Sequence, residues 1–377
     1  MRKNSLHDLI EKIKHQAAYT DEHAKFPIKE FEWIRLSGLL TEPICRDTML
    51  FRQNYSPKLV EILKLVGSAS LPVARILEGH FNALLLISLF GSPLQRKHYF
   101  GKAFDSNLLF SVWNTQGSDG VNITNTGTNQ YRLTGSKAFC PGAGWIQQPL
   151  ITGSLVSKKG IGWQMCMIPE DKVKEIKVNG DVWKPLGMRP SASFNMDFSG
   201  IVIDPKDLLG PCDSYYQQPY FSAGSLRFSA VQLGAAQALL SHVQQSLKNS
   251  GRIHDTLQKT RIAEIAGLVE TGNLWVRQAA IHNDRWHNKP SFHNSLISYV
   301  NMTRSIVDHL CVKIMQLAER SIGVSSLMKP HPVERLHRDL TTYLRQAAPD
   351  AAMLSVGDYV SGLQNTDLLW DEGVESM

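Results

Sequence analysis

Residues 108–153 read LLFSVWNTQGSDGVNITNTGTNQYRLTGSKAFCPGAGWIQQPLITG. Three short segments rich in β-branched and aromatic residues, Leu108–Trp113, Gln130–Thr134 and Pro149–Thr152, are separated by clusters of Gly, Ser, Asn, Asp and Thr. Such runs, bounded by turn formers, read as strands joined by polar turns. Two of those turns, Asn114–Gly120 and Pro141–Gly144, gather small residues and side-chain donors where a strand ends. Glycines there let backbone N–H groups approach a ligand closely. The stretch predicts a β-rich block with a ligand seat at its strand ends.

On either side the period changes to that of helices. Leu6, Leu9, Ile10 and Ile13 recur at three- and four-residue spacing, and Phe26-Pro27 interrupts the pattern. Ser56-Pro57 reads as an N-cap followed by proline at the first helical position, ahead of Leu59, Ile62, Leu63 and Val66. Leu71–Phe90 is apolar enough for a central helix, and Gly91-Ser92-Pro93 ends it. The β pattern continues through Gly162–Ile168, Glu175–Val178 and Asn195–Ile203, which suggests a small barrel or sandwich. Beyond Pro219 long helical faces return: Leu233, Ala236, Leu240, Val243 and Leu247, then Ile262 to Ala279, then Tyr299 to Ile314. Segments Pro332–Arg345 and Asp350–Leu363 follow, and the set predicts a helical bundle. The expected architecture is α+β in three parts: an N-terminal helical domain (1–106), a central β-barrel or sandwich (107–208) and a C-terminal four-helix bundle (209–377).

Composition narrows the function classes. The 377 residues are 43% hydrophobic and 20% charged, as in a globular protein with a large core. The net charge of +6 is not concentrated in a dense basic run, which argues against nucleic acid and is compatible with a phosphorylated small ligand. Five cysteines form no Cys-x-x-Cys pair, and the 13 histidines show no metal-ligand spacing. The N-terminal MRKNSLHDLIEKIKHQ lacks the apolar core of a signal peptide, and the apolar run Ala83–Phe90 is too short to span a bilayer. The expectation is a cytosolic protein without a membrane partner.

The order of elements, with the contents of the turns, resembles the acyl-CoA dehydrogenase superfamily of flavoproteins. Asn114-Thr115-Gln116-Gly117-Ser118-Asp119 resembles the family's Thr-Glu-Pro-like turn with its following Gly-Ser-Asp, in a shortened form. Leu133-Thr134-Gly135-Ser136-Lys137-Ala138-Phe139-Cys140-Pro141 is similar to the Leu-x-Gly-x-Lys stretch that leads to an aromatic residue beside the flavin ring. Leu186-Gly187-Met188-Arg189 with Ser191 and Ser193, Asp204–Gly210, the helix from Arg227 through Gln237, and Pro332–Asp339 extend the likeness along the chain.

The resemblance implies FAD, with FMN as the alternative, held by Asn114, Thr115, Gly117, Ser118, Phe139, Cys140 and Pro141. It implies a CH–CH oxidoreductase acting on an acyl thioester or another small organic substrate. His80 and Arg227 are the candidate catalytic residues, His80 because family helices at this position border the substrate cavity. It further implies a homodimer or homotetramer and a flavin reductase or electron-transfer partner. Glu334 with Arg338, and Arg335 with Asp339, are spaced for i,i+4 ion pairs on a helix and read as structural.

The chain departs from the family at the catalytic base. Dehydrogenases of this kind remove an α-proton with a carboxylate, because the acceptor must work near neutral pH in a water-poor cleft. The family's usual position, two helical turns beyond Arg338-Asp339, falls at Ala347, and its other position, just before Arg227, is Leu226. The loop Lys248–His254 also lacks the family's Phe-Gly. Two further expectations therefore stand beside the dehydrogenase: a monooxygenase on the same scaffold using reduced flavin and oxygen, and a non-catalytic binding subunit.

Overall fold

The computed structural model describes residues 3–157 and 160–370. The chain opens with α1 (Lys3–His23) and α2 (Ile28–Leu36), then a small hairpin of β1 (Ile44–Cys45) and β2 (Leu50–Phe51). Three helices follow: α3 (Ser56–Ala69), α4 (Leu71–Phe90) and α5 (Pro93–Ser106). Ser56 is itself the first helical residue rather than the cap; its N–H donates to Asp284 Oδ2 at 3.1 Å and its hydroxyl accepts from Asn283 at 2.9 Å. The tie to a distant helix replaces the local cap expected there. Ser92 does cap α5, in a reciprocal pair with Gln95.

The strands are β3 (Phe110–Trp113), β4 (Asn122–Asn125), β5 (Tyr131–Thr134), β6 (Ser136–Cys140), β7 (Gln148–Ser157), β8 (Gly160–Met167), β9 (Lys177–Asn179), β10 (Phe194–Asp197), β11 (Val202–Ile203) and β12 (Leu208–Leu209). They form a seven-stranded sheet in the order β11-β5-β4-β7-β8-β12, with β3 pairing β7, and a three-stranded sheet in the order β6-β10-β9. Strand β3 runs parallel to β7, with Phe110 opposite Gln148 and Trp113 opposite Ile151. Its C-terminal end leads into Asn114, which is half-buried, and Thr115, which is exposed. The segment Asn195–Ile203, expected as one strand, is split between the two sheets because Ser199-Gly200 turns, Gly200 at φ +93°.

Three long helices follow: α6 (Tyr220–Asn249), α7 (Thr256–Trp286) and α8 (His293–Ile322). The shorter α9 (Pro332–Tyr343) packs on α6, and α10 (Pro349–Ser361) packs on α8. The apolar faces read from the sequence are the ones buried: Leu233, Ala236, Val243, Ile265, Val276, Leu310 and Ile314 lie in the core. Helix α3 joins this bundle through Gly234, where a side chain would come within 2.1 Å of the Lys64 carbonyl oxygen. The absence of one there lets the backbones of α3 and α6 meet.

Helix α4 is the centre of the molecule, touching β3, α3, α6 and α9. By length and composition alone it could cross a bilayer, a longer candidate than Ala83–Phe90. Leu71, Leu77, Phe81, Leu84 and Ile87 are nevertheless fully buried in the core, which accounts for its apolarity without a membrane.

Candidate functional site

The 20 residues of α4 include only two charged side chains, Arg75 and Glu78. With Asn82 they stand at i, i+3 and i+7, hence on one face. Arg75 Nη1 donates to Glu78 Oε2 at 2.5 Å. From α6, Arg227 donates Nε to Glu78 Oε1 at 3.1 Å and Nη2 to Asn82 Oδ1 at 2.6 Å. A carboxylate withdrawn from water persists only when paired; Glu78 is buried and carries a guanidinium on each oxygen. The phenols of Tyr215 and Tyr343 lie within electrostatic reach of this cluster, and burial pushes both far above the usual tyrosine range.

The cluster forms one wall of a cavity of about 490 Å³. The opposite lining comes from the β block: Val112, Trp113, Asn114 and Thr115 at the end of β3, and Phe139 on β6. The bundle closes the remainder with Phe228, Arg304, Ala347, Ala348, Ala351 and Ala352. Arg304 is held by donating Nη2 to the Ala347 carbonyl at 2.5 Å and by lying over the Phe228 ring.

Behind the β wall a buried lysine fixes the turn. Lys137 Nζ donates to Asn114 O at 2.9 Å, Gln116 Oε1 at 2.9 Å and Thr152 Oγ1 at 3.0 Å. Burial lowers its pKa to about 8. Asn114 Oδ1 in turn accepts from Thr152 Oγ1 and Trp163 Nε1, at 2.7 and 3.0 Å. Residues 114–116 are thus a rigid lip rather than a solvated loop. Phe139 is 63% exposed and sits at φ +52°, a left-handed conformation that a bulky residue rarely adopts. The strand carrying it turns its ring out of the core to the cavity's edge, with Trp183 as its edge-on neighbour.

The structure brings Asn114, Thr115, Phe139 and Arg227 together on this cavity. It does not bring the other sequence candidates there. His80 is fully buried, its Nε2 bonded to Leu40 O at 2.9 Å and its Nδ1 accepting from Phe110 N at 3.0 Å. Burial depresses its pKa to about 4. The expected cavity-bordering histidine is corrected to a neutral core residue with both ring nitrogens engaged. Cys140 is fully buried with its thiol pushed up by burial, and the Pro141 carbonyl accepts from Trp113 Nε1 at 3.1 Å. Gly117 donates its N–H to Ser136 O at 2.9 Å, and neither it nor Ser118 lines the cavity. Leu226 is buried outside the cavity lining, whereas Ala347 faces in.

Of the two expected i,i+4 pairs, Arg338 binds Glu334, and it also reaches Asp21 at 2.7 Å. Asp339 does not take Arg335 as an ion-pair partner; it accepts from the Met188 N–H at 2.5 Å, and burial raises its pKa to about 6. That contact docks α9 on Gly187, where a side chain would lie 2.1 Å from the Arg338 carbonyl. Arg75, Glu78, Arg304 and Lys137 were missed as site residues. The first two were signalled by being the only charges on the most apolar helix.

Comparison with known proteins follows from this geometry. The family description "Acyl-CoA dehydrogenase, C-terminal domain" matches residues 226–348. The isobutyryl-CoA dehydrogenase (mitochondrial) of Dictyostelium discoideum is 24% identical over 362 residues, covering 91% of this chain and 84% of that protein. The dibenzothiophene monooxygenase of Rhodococcus qingshengii is 21% identical over 257 residues, covering 65% and 61%. Among solved structures, the FMN-bound TdsC from a Paenibacillus species superposes with a TM-score of 0.86 at 20% identity, covering 94% of this chain and 96% of that one. The helix–sheet–bundle architecture is therefore the acyl-CoA dehydrogenase fold. The chain is similar to the acyl-CoA dehydrogenase family over residues 226–348 and, at 24% identity, to an acyl-CoA dehydrogenase along most of its length.

Proposed function

We propose that this chain is a flavin-dependent oxidoreductase that oxygenates a small organic substrate using reduced flavin and molecular oxygen. The residues present fit a flavin: an outward-facing aromatic ring at the cavity's edge, a fixed polar lip at Asn114–Thr115, and a volume in the range of cofactor and ligand sites. A neighbour of the same fold was solved with FMN bound. FMN and FAD both suit this reading. The flavin, when bound, supplies the redox chemistry. The chain's residues hold and surround it: Phe139 offers a face for the ring, Lys137 keeps the Asn114–Gln116 lip in place, and the bundle's alanines leave room beside it.

One observation favours oxygenation over desaturation. Among the described residues lining the cavity, the sole carboxylate is Glu78, and both its oxygens are held by guanidiniums. No histidine is among the described residues that line the cavity, and alanine stands at position 347. An α-proton would find no free acceptor there. The competing reading, dehydrogenation of an acyl thioester, is supported by the likeness to isobutyryl-CoA dehydrogenase across 91% of the chain.

The test starts with the purified protein loaded with FMN or FAD. Anaerobic addition of a panel of acyl-CoAs should leave the visible absorbance unchanged, and bleaching by any of them would replace this proposal with the dehydrogenase. Reduction by a separate flavin reductase, followed by air, should give oxygen uptake that rises with substrate. Lack of flavin binding would leave only the binding-subunit reading. A cytosolic homodimer or homotetramer served by such a reductase, divided at residues 106 and 208, belongs to the same proposal.

A further inference from the structure

The charges around the cavity do not balance. Its described lining carries three guanidiniums, Arg75, Arg227 and Arg304, against the single carboxylate of Glu78. Arg227 is spent inside the protein, with Nε on Glu78 and Nη2 on Asn82. Arg75 uses one nitrogen, Nη1, on Glu78. Arg304 uses one, Nη2, on the Ala347 carbonyl. The remaining donors of Arg75 and Arg304 have no partner among the described residues. The Arg75 side chain is 27% exposed although α4 is the core helix, and that exposure opens into the cavity it lines. A third group is unsatisfied nearby: the Tyr343 hydroxyl, buried beside Arg75 and Arg227, has no hydrogen-bond partner.

Cations in excess of the one carboxylate at this half-open cavity, with donors left over, favour an anionic ligand that can take them. A guanidinium presents a planar fork of donors matched to a carboxylate, sulfonate or phosphate. We infer that the substrate received by this cavity is a small organic anion, its acid group bound by the free edge of Arg75 with Arg304 as the second cation. Calling that ligand the substrate rests on the proposed oxidoreductase reading; the anion preference itself does not. The cavity volume limits the ligand to a compact molecule once a flavin ring shares the space. A second source of the same chemistry is the phosphate of the flavin itself, and the experiment separates the two.

Isothermal titration calorimetry on the protein, with and without bound FMN, would compare pairs of equal shape and different charge: benzoate with benzamide, and benzenesulfonate with benzenesulfonamide. The anion of each pair is expected to bind roughly tenfold or more tighter, as charge-assisted hydrogen bonds allow. Arg75→Met should abolish that preference, Arg75→Lys should retain part of it, and Arg304→Gln should weaken it. FMN and riboflavin affinities should be unaltered by Arg75→Met. Equal binding of the neutral partners, no binding by either anion, or an undiminished preference in both Arg75→Met and Arg304→Gln would overturn the inference. So would a loss of FMN affinity with riboflavin affinity intact, which would assign these arginines to the cofactor's phosphate. A protein that binds no flavin yet keeps the anion preference would sink the oxidoreductase reading and leave this one standing.

Discussion

Arg227 Nε and Glu78 Oε1 meet at 3.1 Å across 149 residues of sequence, joining the core helix α4 to the first helix of the bundle. Both side chains are buried, so the pair is weakly screened and neither partner can be left alone. Glu78→Ala strands two guanidiniums inside the protein. The expected cost is roughly 3–5 kcal/mol, the range for breaking a buried pair. Urea unfolding should show the midpoint falling accordingly, whereas a loss below about 1 kcal/mol would mean that water from the cavity solvates the arginines.

His80 carries a pH signature. Its pKa stands near 4, against 6.5 in the unfolded chain, because burial disfavours the charged ring. The native state therefore takes up the proton later than the unfolded one. The stability from the neutral ring is fully present above pH 6.5 and is lost as pH falls toward 4, by on the order of 3 kcal/mol. His242 is depressed in the same way and adds its own loss. Unfolding measured between pH 7 and 4 should show the slope reduced, not abolished, in His80→Asn.

Much of this architecture was legible because its signals are local. The strands β3 and β5 and the long helices announce themselves by period, and the motif around Gly135–Pro141 pointed to Phe139. Strands β4 (Asn-Ile-Thr-Asn) and β6 (Ser-Lys-Ala-Phe-Cys) escaped, since the first holds a single apolar residue and the second groups its three at one end, so neither gives an alternation to read. The site was less legible. Asn114, Thr115 and Arg227 were found through motif likeness. The Arg75–Glu78–Arg227 cluster assembles from two distant helices, and Arg304 arrives from a third. His80 drew attention as a histidine on an apolar helix, while the pairing that matters stood two residues before it.

Lys137 has a slope of the same sign as His80, in a higher pH window. Its native pKa, near 8, lies below the 10.5 of a free lysine, through burial. Below pH 8 both states are protonated and the burial penalty is constant. Between pH 8 and 10.5 the unfolded chain holds the extra proton, so stability rises with pH, by up to about 3 kcal/mol from this group. Buried tyrosines act in the reverse direction above pH 10. The quantity to measure is thus the difference between the parent and Lys137→Met. That difference should move in the parent's favour from pH 8 to 10, and a flat difference would mean that Lys137 is solvated.

Phe139 should show stability and binding moving apart. Its backbone at φ +52° is unfavourable for a bulky residue, and its ring is mostly exposed. Phe139→Gly relieves the strain, worth about 1 kcal/mol. It also removes the aromatic face offered to the flavin. The variant should unfold at higher urea yet bind FMN roughly tenfold more weakly, the order expected for one aromatic contact with its buried area. Equal or tighter FMN binding would remove Phe139 from the proposed cofactor wall.

Ala347 faces the cavity from the turn before α10, its carbonyl held by Arg304. A carboxylate placed there would enter a cleft that has none free. General bases in such positions contribute about 10²–10⁴ in rate. Arg304 stands close enough to pair with the new side chain and reduce its basicity, which moves the expectation to the lower end of that range. Ala347→Glu, loaded with flavin, should therefore gain acyl-CoA-dependent bleaching of roughly a hundredfold over the parent in anaerobic stopped-flow. The additional change Arg304→Gln should raise it further by releasing the carboxylate. If flavin and acyl-CoA both bind and neither variant bleaches, Ala347 does not occupy the proton-abstracting position, and the case for oxygenation would rest on the paired state of Glu78 alone.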